Sequence, residues 1–394
     1  MGRQAGRRKL FTAPPETPAE HILAVARNYL HLPDPGAFYV LLGSVAANMI
    51  EGVPVWLMLC GPPSCGGSEL LNTLLDIPGM VEAGLIDSTA AFLSGTAKKD
   101  QAKDATGGLL RQIGASGGII MKDFTSILSL QRDQLRKILG AMREMYDGRW
   151  SRSIGTDGGR VLHWYGRAAM FAKVTNVIDQ LHEASAALGE RWIFYRFDDT
   201  DAYEKSRRAL INSSTPGWRQ DLRDLVSAFF MGMDLSFKSR NDSWPMTAAE
   251  QMRIISMGEV ASRCRSAVLR DPYTKEILGV RETEGGTRIT TELGQLWQGM
   301  RIIGVPEKLC WQLTGKVALD SMPKLRRVIV DSAIAKSGVD AGHICGVTGV
   351  SKGVVRRTIE DLEVHGVIES MDIGGKTYAF VTKWMEREMQ KGWR

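Results

Sequence analysis

No C-x-x-C pair occurs among the five cysteines of this 394-residue chain (Cys60, Cys65, Cys264, Cys310 and Cys345). An odd number without metal-ligand spacing argues against structural zinc or a disulfide framework and for a reduced, cytoplasmic protein. No apolar run approaches the roughly 20 residues that span a bilayer. The opening Met1-Gly2-Arg3-Gln4-Ala5-Gly6-Arg7-Arg8-Lys9 lacks the apolar core of a signal peptide, so no membrane partner is expected. Strong charge of one sign is missing too, since the net charge is only +6. Four basic and no acidic groups stand in the first ten residues, and twelve Lys/Arg against nine Asp/Glu in 323–394, which leaves 11–322 at −1. A basic surplus at the two ends fits contact with nucleic-acid phosphates or a merely solvated surface. The rest of the composition, 44% hydrophobic and 24% charged, is that of an ordinary globular protein with room for two or three domains.

A second absence is more telling. The apolar run Val53–Leu59 reads as a buried strand entering Cys60-Gly61-Pro62-Pro63-Ser64-Cys65-Gly66-Gly67-Ser68, followed by a helix from Glu69 through Leu75. A phosphate-binding loop needs G-x-x-x-x-G-K-[ST]. Gly61, Gly66 and Ser68 are in register, but Gly67 stands where the lysine belongs. Glycines let successive backbone N–H groups converge on phosphate oxygens, and a serine hydroxyl at position 68 reaches Mg²⁺. The lysine ordinarily meets the β- and γ-phosphates as a point charge. The stretch Gly61–Glu69 is therefore expected to hold the phosphates of ATP with Mg²⁺, with transition-state charge less well neutralised. Lys122 and Lys173, near the ends of two later strands, are candidates to replace part of that charge.

Along the chain, residues 1–18 read as a disordered basic tail, 19–200 as an α/β nucleotide-binding core, 201–322 as a helical lid, and 323–394 as a separate unit. Within the core, helices at His21–Leu32 and Ala37–Glu51 precede the first strand. Gly118–Phe124 is a second buried strand, a long helix runs from about Thr125 to Tyr146, and a hairpin is expected over 149–164. Ala168–Asn176 and Trp192–Phe197 are two further strands. Strands alternating with helices imply a parallel sheet. The lid shows breaks at Trp244-Pro245 and Arg270-Asp271-Pro272. Most of the ten tryptophans are expected in core or interface positions.

Ile119-Ile120-Met121-Lys122-Asp123 ends a strand on a carboxylate, so Asp123 either holds the metal beside Ser68 or caps the next helix. Phe124 follows, where a glutamate would orient the attacking water. Asn176, with Thr175 as its local rival, ends the third strand within reach of a γ-phosphate or forms an Asx turn. Arg191 opens the fourth strand, where an arginine acts in trans on a neighbour's phosphate or is a plain exposed charge.

In this order, the loop GPPSCGGSELL, strand IIMKDF, hairpin, strand VTN and LGERWIFYRF resemble the AAA+ P-loop ATPase core. The likeness is greatest to the helicase branch of the minichromosome-maintenance proteins and their phage or mobile-element relatives. It covers roughly residues 50–300 and departs at Gly67 and Phe124. The resemblance implies that Asn176 is the first sensor, Arg191 the arginine finger and Arg288 the second sensor. It implies a homo-oligomeric ring or filament with ATP between subunits. It places Arg152 and Arg160 of the hairpin against DNA in a central channel.

Residues 323–394 read as three helices and a β-wing, a winged helix-turn-helix. The helix from about Lys352 to His365 would bury Val354, Val355, Ile359 and Leu362, leaving Lys352, Arg356 and Arg357, with Lys376 on the wing, for DNA or for a partner protein. The expected function is a DNA-binding, helicase-like AAA+ protein of DNA replication, working with other replication proteins and with impaired hydrolysis. The alternatives are a non-motor origin-recognition or helicase-loader type, and a transcription regulator with an inactive P-loop domain.

Overall fold

The computed structural model describes residues 19–94, 106–155, 159–181, 191–197, 201–233, 246–280, 285–336 and 338–393. The basic tail 1–18, the Lys98-Lys99 pair, the hairpin turn 156–158 and Trp244-Pro245 lie outside them.

Strands β1 (Trp56–Cys60), β2 (Met80–Glu82), β3 (Ser116–Met121), β6 (Arg167–Val174) and β7 (Ile193–Arg196) form one sheet in the order β2-β3-β6-β1-β7. Every pairing in it is parallel. All five residues of β1 are buried, because a parallel strand is covered on both faces and reads as a continuous apolar run. Alternation then sorts its side chains. Leu57 and Leu59 join Phe171, Ile193 and Tyr195 in one core, while Trp56, Met58 and Cys60 join Met170, Ala172 and Phe194 in the other. β4 (Arg149–Ile154) and β5 (Arg160–Tyr165) form a separate antiparallel hairpin. The molecule is thus mixed α/β around a five-stranded parallel sheet.

Helices α1 (Ala19–Tyr29) and α2 (Gly36–Met49) cover the first face with the helix Thr287–Ile302. α2 is buried along nearly its whole length, so it carries almost no polar side. It crosses Thr287–Ile302 at glycines, and the approach leaves no space for a methyl group. A Cβ built on Gly299 would stand 2.0 Å from the Gly43 carbonyl oxygen and 2.7 Å from the Ala47 nitrogen.

Several elements differ from the sequence expectation. The helix expected over 125–146 is two, α5 (Thr125–Leu128) and α6 (Arg132–Tyr146). Ser129 Oγ turns back onto the Thr125 carbonyl at 2.9 Å, and Gln131 is extended (ψ 144), so the ladder restarts one turn later. The helix after the loop, α3, covers only Gly67–Asn72. The stretch 201–322 also holds a hairpin, β8 (Val268–Arg270) with β9 (Ile277–Val280). Its turn is made by Asp271, whose carboxylate accepts the Tyr273 and Thr274 N–H groups at 2.7 and 2.8 Å, and by Lys275 at φ 65. Those backbone bonds hold the Asp271 carboxyl below its usual range.

The C-terminal stretch has helices Lys324–Ala335, Ala341–Thr348 and Lys352–Val364 and a sheet in the order β10 (Val339–Asp340), β12 (Lys376–Val381), β11 (Ile368–Ile373). Val355, Ile359 and Leu362 belong to the same continuous core as Leu57 and Trp297. Asp361 accepts Arg270 Nη2 at 2.7 Å and Arg326 Nη2 at 3.1 Å, joining three segments. A last helix, Lys383–Gln390, returns to the helix Ala248–Arg265, where Ser256 Oγ donates to the Glu388 carbonyl and accepts from Trp393 Nε1, both at 3.0 Å. Among the described residues no helix is long and apolar enough to cross a membrane.

The helix crossing generates a sharp expectation. Gly299→Ala forces Thr287–Ile302 away from α2 and should destabilise the fold by about 3 kcal/mol or more, read from chemical denaturation. A loss under about 0.5 kcal/mol would mean that the two backbones have room to part.

Candidate functional site

The loop after β1 is fixed by its neighbours on both sides. Gly61 N donates to the Val174 carbonyl at 3.1 Å and Phe197 N donates to the Cys60 carbonyl at 2.9 Å, so the chain leaves the sheet between β6 and β7. A Cβ on Gly61 would lie 2.9 Å from Cys65 Sγ, which requires glycine there. Ser64 (φ 64) and Gly66 (φ 94) adopt left-handed conformations that curl the loop before α3 begins. Half-buried Pro62 and exposed Pro63 form the outer turn, closed by Cys65 N on the Pro62 carbonyl at 3.3 Å.

Above this loop lies a cleft of about 490 Å³. Its floor is Ser64–Glu69 with Lys173, which projects from β6 opposite Leu59 of β1. Its other wall comes from α1 and two helices beyond β7, Ala202–Ser213 and Trp218–Met231. Lys205, Arg208 and Asn212, spaced along one helical face, line that wall. Arg208 Nη1 donates to the Arg27 and Asn28 carbonyls at 3.0 and 3.1 Å, and Asn212 donates to the Tyr29 carbonyl, anchoring the wall to α1. Tyr29 and Trp218 stack at 5.6 Å and 16° at one end. Arg219 lies 4.5 Å over the Trp218 ring and pairs with Glu69 at 2.6 Å. Burial raises the Glu69 carboxyl, but the Arg219 hydrogen bonds and charge outweigh it, and its pKa falls below the ordinary range. The cleft therefore offers cations beside the loop and a flat aromatic pair farther along. Tyr29, Lys205, Arg208, Trp218 and Arg219 were not singled out for this site from sequence. Only the helical spacing of Lys205, Arg208 and Asn212 carried a local signal.

The carboxylate and sensor candidates sit elsewhere. Asp123 is exposed and accepts the Thr125 N–H at 3.0 Å, capping α5, and it lines a separate hollow of about 240 Å³ with Lys122. Lys122 is paired with Glu82 at 2.7 Å. Phe124 is 2% exposed and packs on Trp192, so it is a core residue. Asn176 is exposed at the start of the short helical turn Asn176–Leu181 and does not line the cleft. Thr175 is tied to Thr125, hydroxyl to hydroxyl, at 3.3 Å. Ser68 lines the cleft and Asp123 the smaller hollow. Among the described residues no three His, Cys, Asp or Glu side chains gather as a metal site. The loop end of the cleft, lined by Ser64–Glu69 and Lys173, has the chemistry to fit an anion.

Arg191 and Arg288 are brought together at the opposite, amino end of the sheet. Strand β1 separates Trp56, which packs on Trp192 at 5.2 Å, from the loop by about 16 Å at the usual rise per residue. Arg191 Nη2 pairs with Asp147 at 3.5 Å, and its guanidinium lies 5.5 Å from the Tyr146 ring centroid. Burial lowers the Arg288 pKa, with the Arg191 charge adding to it. Glu292 is fully buried between them and accepts Tyr146 Oη at 2.5 Å. Burial pushes its carboxyl up to about 7, against the opposing pull of Arg265, Tyr146, Arg288 and Arg191.

The candidate DNA contacts are mixed. Arg152 Nη1 donates to the Leu93 carbonyl at 2.8 Å, and Arg160 faces Ile154 across the hairpin; both are half-buried. Lys352 and Lys376 are exposed, Arg356 and Arg357 half-buried. Val354, expected inside, is 37% exposed, because Val355, Ile359 and Leu362 alone fill the inner stripe.

Glu292 supplies a pH signature. A carboxyl raised above its unfolded value holds its proton in the folded chain while the unfolded chain loses it. Stability therefore falls as pH rises from about 4.5 through about 7, by up to roughly 1.4 kcal/mol per unit of difference. Glu292→Gln keeps the Tyr146 bond and should flatten that slope, raising stability at pH 8 relative to wild type. Parallel denaturation curves for the two proteins from pH 5 to 8 would contradict the assignment.

No protein-family model and no curated protein matches this chain. Among solved structures, one titled "The A form apo structure of NrS-1 C terminal region-CTR" is similar over 95% of this chain and 78% of that chain. At 10% identity and a TM-score of 0.30, that likeness assigns neither activity nor ligand to this chain.

Proposed function

We propose that this chain is a nucleotide-binding, DNA-associated protein of the AAA+ type, acting in DNA replication with weakened hydrolysis. The observation that carries the reading is the cleft itself. It opens at the carboxyl end of a central parallel strand, where ligands of such sheets sit. It joins a left-handed, glycine-bearing loop and Lys173 to the stacked Tyr29–Trp218 pair. Cations near one end and flat apolar rings at the other are the complement of a nucleoside phosphate. In this reading Gly61–Ser68 and Lys173 hold phosphate, and Tyr29 with Trp218 borders the base. Bound Mg²⁺ would screen the phosphate charge, with Ser68 the hydroxyl beside it.

The C-terminal helices and hairpin act as a winged helix, with Lys352, Arg356, Arg357 and Lys376 meeting DNA phosphates. Arg191 and Arg288, at the far end of the sheet, reach a loop only on a neighbouring subunit, which favours a ring or filament. A second, non-motor reading is favoured by one observation. Phe124 is sealed in the core where a water-orienting carboxylate would stand, and Asp123 caps a helix.

Isothermal titration of the protein with ATP or ADP and Mg²⁺ should saturate below about 1 mM, and no saturation there would discard the nucleotide reading. ATP turnover raised about tenfold or more by single-stranded DNA supports the motor; turnover unchanged by DNA supports the non-motor form. Replacing Lys352 and Arg356 by Ala should weaken DNA binding alike for all sequences. It should also reduce the salt slope by about one per lost contact.

A further inference from the structure

Gly67 lacks a backbone reason to be glycine. Its φ is not left-handed, and it opens α3 rather than capping it. Its neighbours supply the reason. A Cβ built there would stand 3.1 Å from Lys173 Cγ, 3.4 Å from Phe197 Cε2 and 3.6 Å from Cys65 Sγ. The first of these is tighter than side-chain contacts ordinarily are, and the atom it meets is the stem of a lysine. Lys173 arrives from the adjacent strand, half-buried, and lines the cleft with the loop. Among the described residues its ammonium makes no hydrogen bond or ion pair. Lys122, the other lysine near a strand end, is paired with Glu82 and faces a different hollow.

We infer that Lys173 and Gly67 are two halves of one device: Lys173 delivers from β6 the point charge for the terminal phosphates of a nucleoside di- or triphosphate, and Gly67 is glycine to admit its stem. The inference rests on the nucleotide reading and goes further by naming the cation and its dependence on the empty position. Helix α3 is only six residues long, so the positive charge on the loop side of the cleft comes from this side chain rather than from a helix end. It also forbids the simple repair. A lysine placed at 67 would meet Lys173 in volume and in charge, so restoring the usual loop sequence in this chain should weaken binding instead of strengthening it.

The test uses the full chain and calorimetric titration with ADP and with inorganic pyrophosphate, in the presence of Mg²⁺. Lys173→Met, which keeps the stem and removes the charge, should weaken both ligands by roughly 10- to 100-fold, the range of a charged hydrogen bond. Lys173→Arg should lose far less. Gly67→Lys alone should also weaken binding, and Gly67→Lys combined with Lys173→Ala should recover to within about fivefold of wild type. Thermal unfolding of each variant separates lost binding from lost folding, and the double variant keeps the inference exposed should one single variant fold poorly. Binding by Lys173→Met within about threefold of wild type overturns the inference while the nucleotide reading stands. A tighter Gly67→Lys protein overturns it as well. A wild-type protein that binds neither ligand removes the nucleotide reading, and the inference with it.

Discussion

The constraint on which the rest depends is that the parallel sheet is covered on both faces. Each strand of β1, β6 and β7 sends alternate side chains into one core or the other, and both cores are closed. Polar chemistry is thereby pushed to the strand ends. At the carboxyl end the chain can turn only between the carbonyls of β6 and the start of the segment after β7, and the loop forms there. At the amino end, Arg191, Arg288 and Glu292 gather around Tyr146.

Charge reaches the cleft from elements distant in sequence. Lys173 comes from β6, and Lys205 and Arg208 from a helix beyond β7, so the cationic lining depends on tertiary packing rather than on one contiguous motif. Arg219 is spoken for by Glu69 and by the Trp218 ring, which makes it a wall rather than a ligand group. Cations sit beside the loop, while the exposed carboxylate Asp123 is engaged with backbone N–H in another hollow.

What could be read from the sequence follows from how each element is stabilised. Strands β1, β3, β6 and β7 were legible because double-sided burial writes itself as an apolar run. β2, three residues that are half-buried or exposed, writes nothing of the kind. The break between α5 and α6 was hidden, since it depends on local polar bonds inside a stretch whose apolar spacing stays helical. The β8–β9 hairpin showed only as a break at Asp271-Pro272, because its strands are short and its outer residues, Leu269 and Leu278, are exposed. The turn between β11 and β12 is made by Gly374 and Gly375, both at positive φ. The docking of 323–394 was not legible, since it rests on Asp361, Arg270 and Arg326 meeting across the chain. The loop was visible in sequence; the far wall of its cleft was not, because Tyr29 and Trp218 meet only once α1 packs on the helix Trp218–Met231.

The placement of Arg191 and Arg288 at the edge of the sheet opposed to the loop has a geometric corollary. Were both edges to serve one ligand from opposite faces of the subunit, the contact would be heterologous, head against tail. A two-fold axis would do the same only if loop and arginines lay on one self-complementary face. Repeated head-to-tail contact either closes on itself or grows without limit, and the rotation per step decides which.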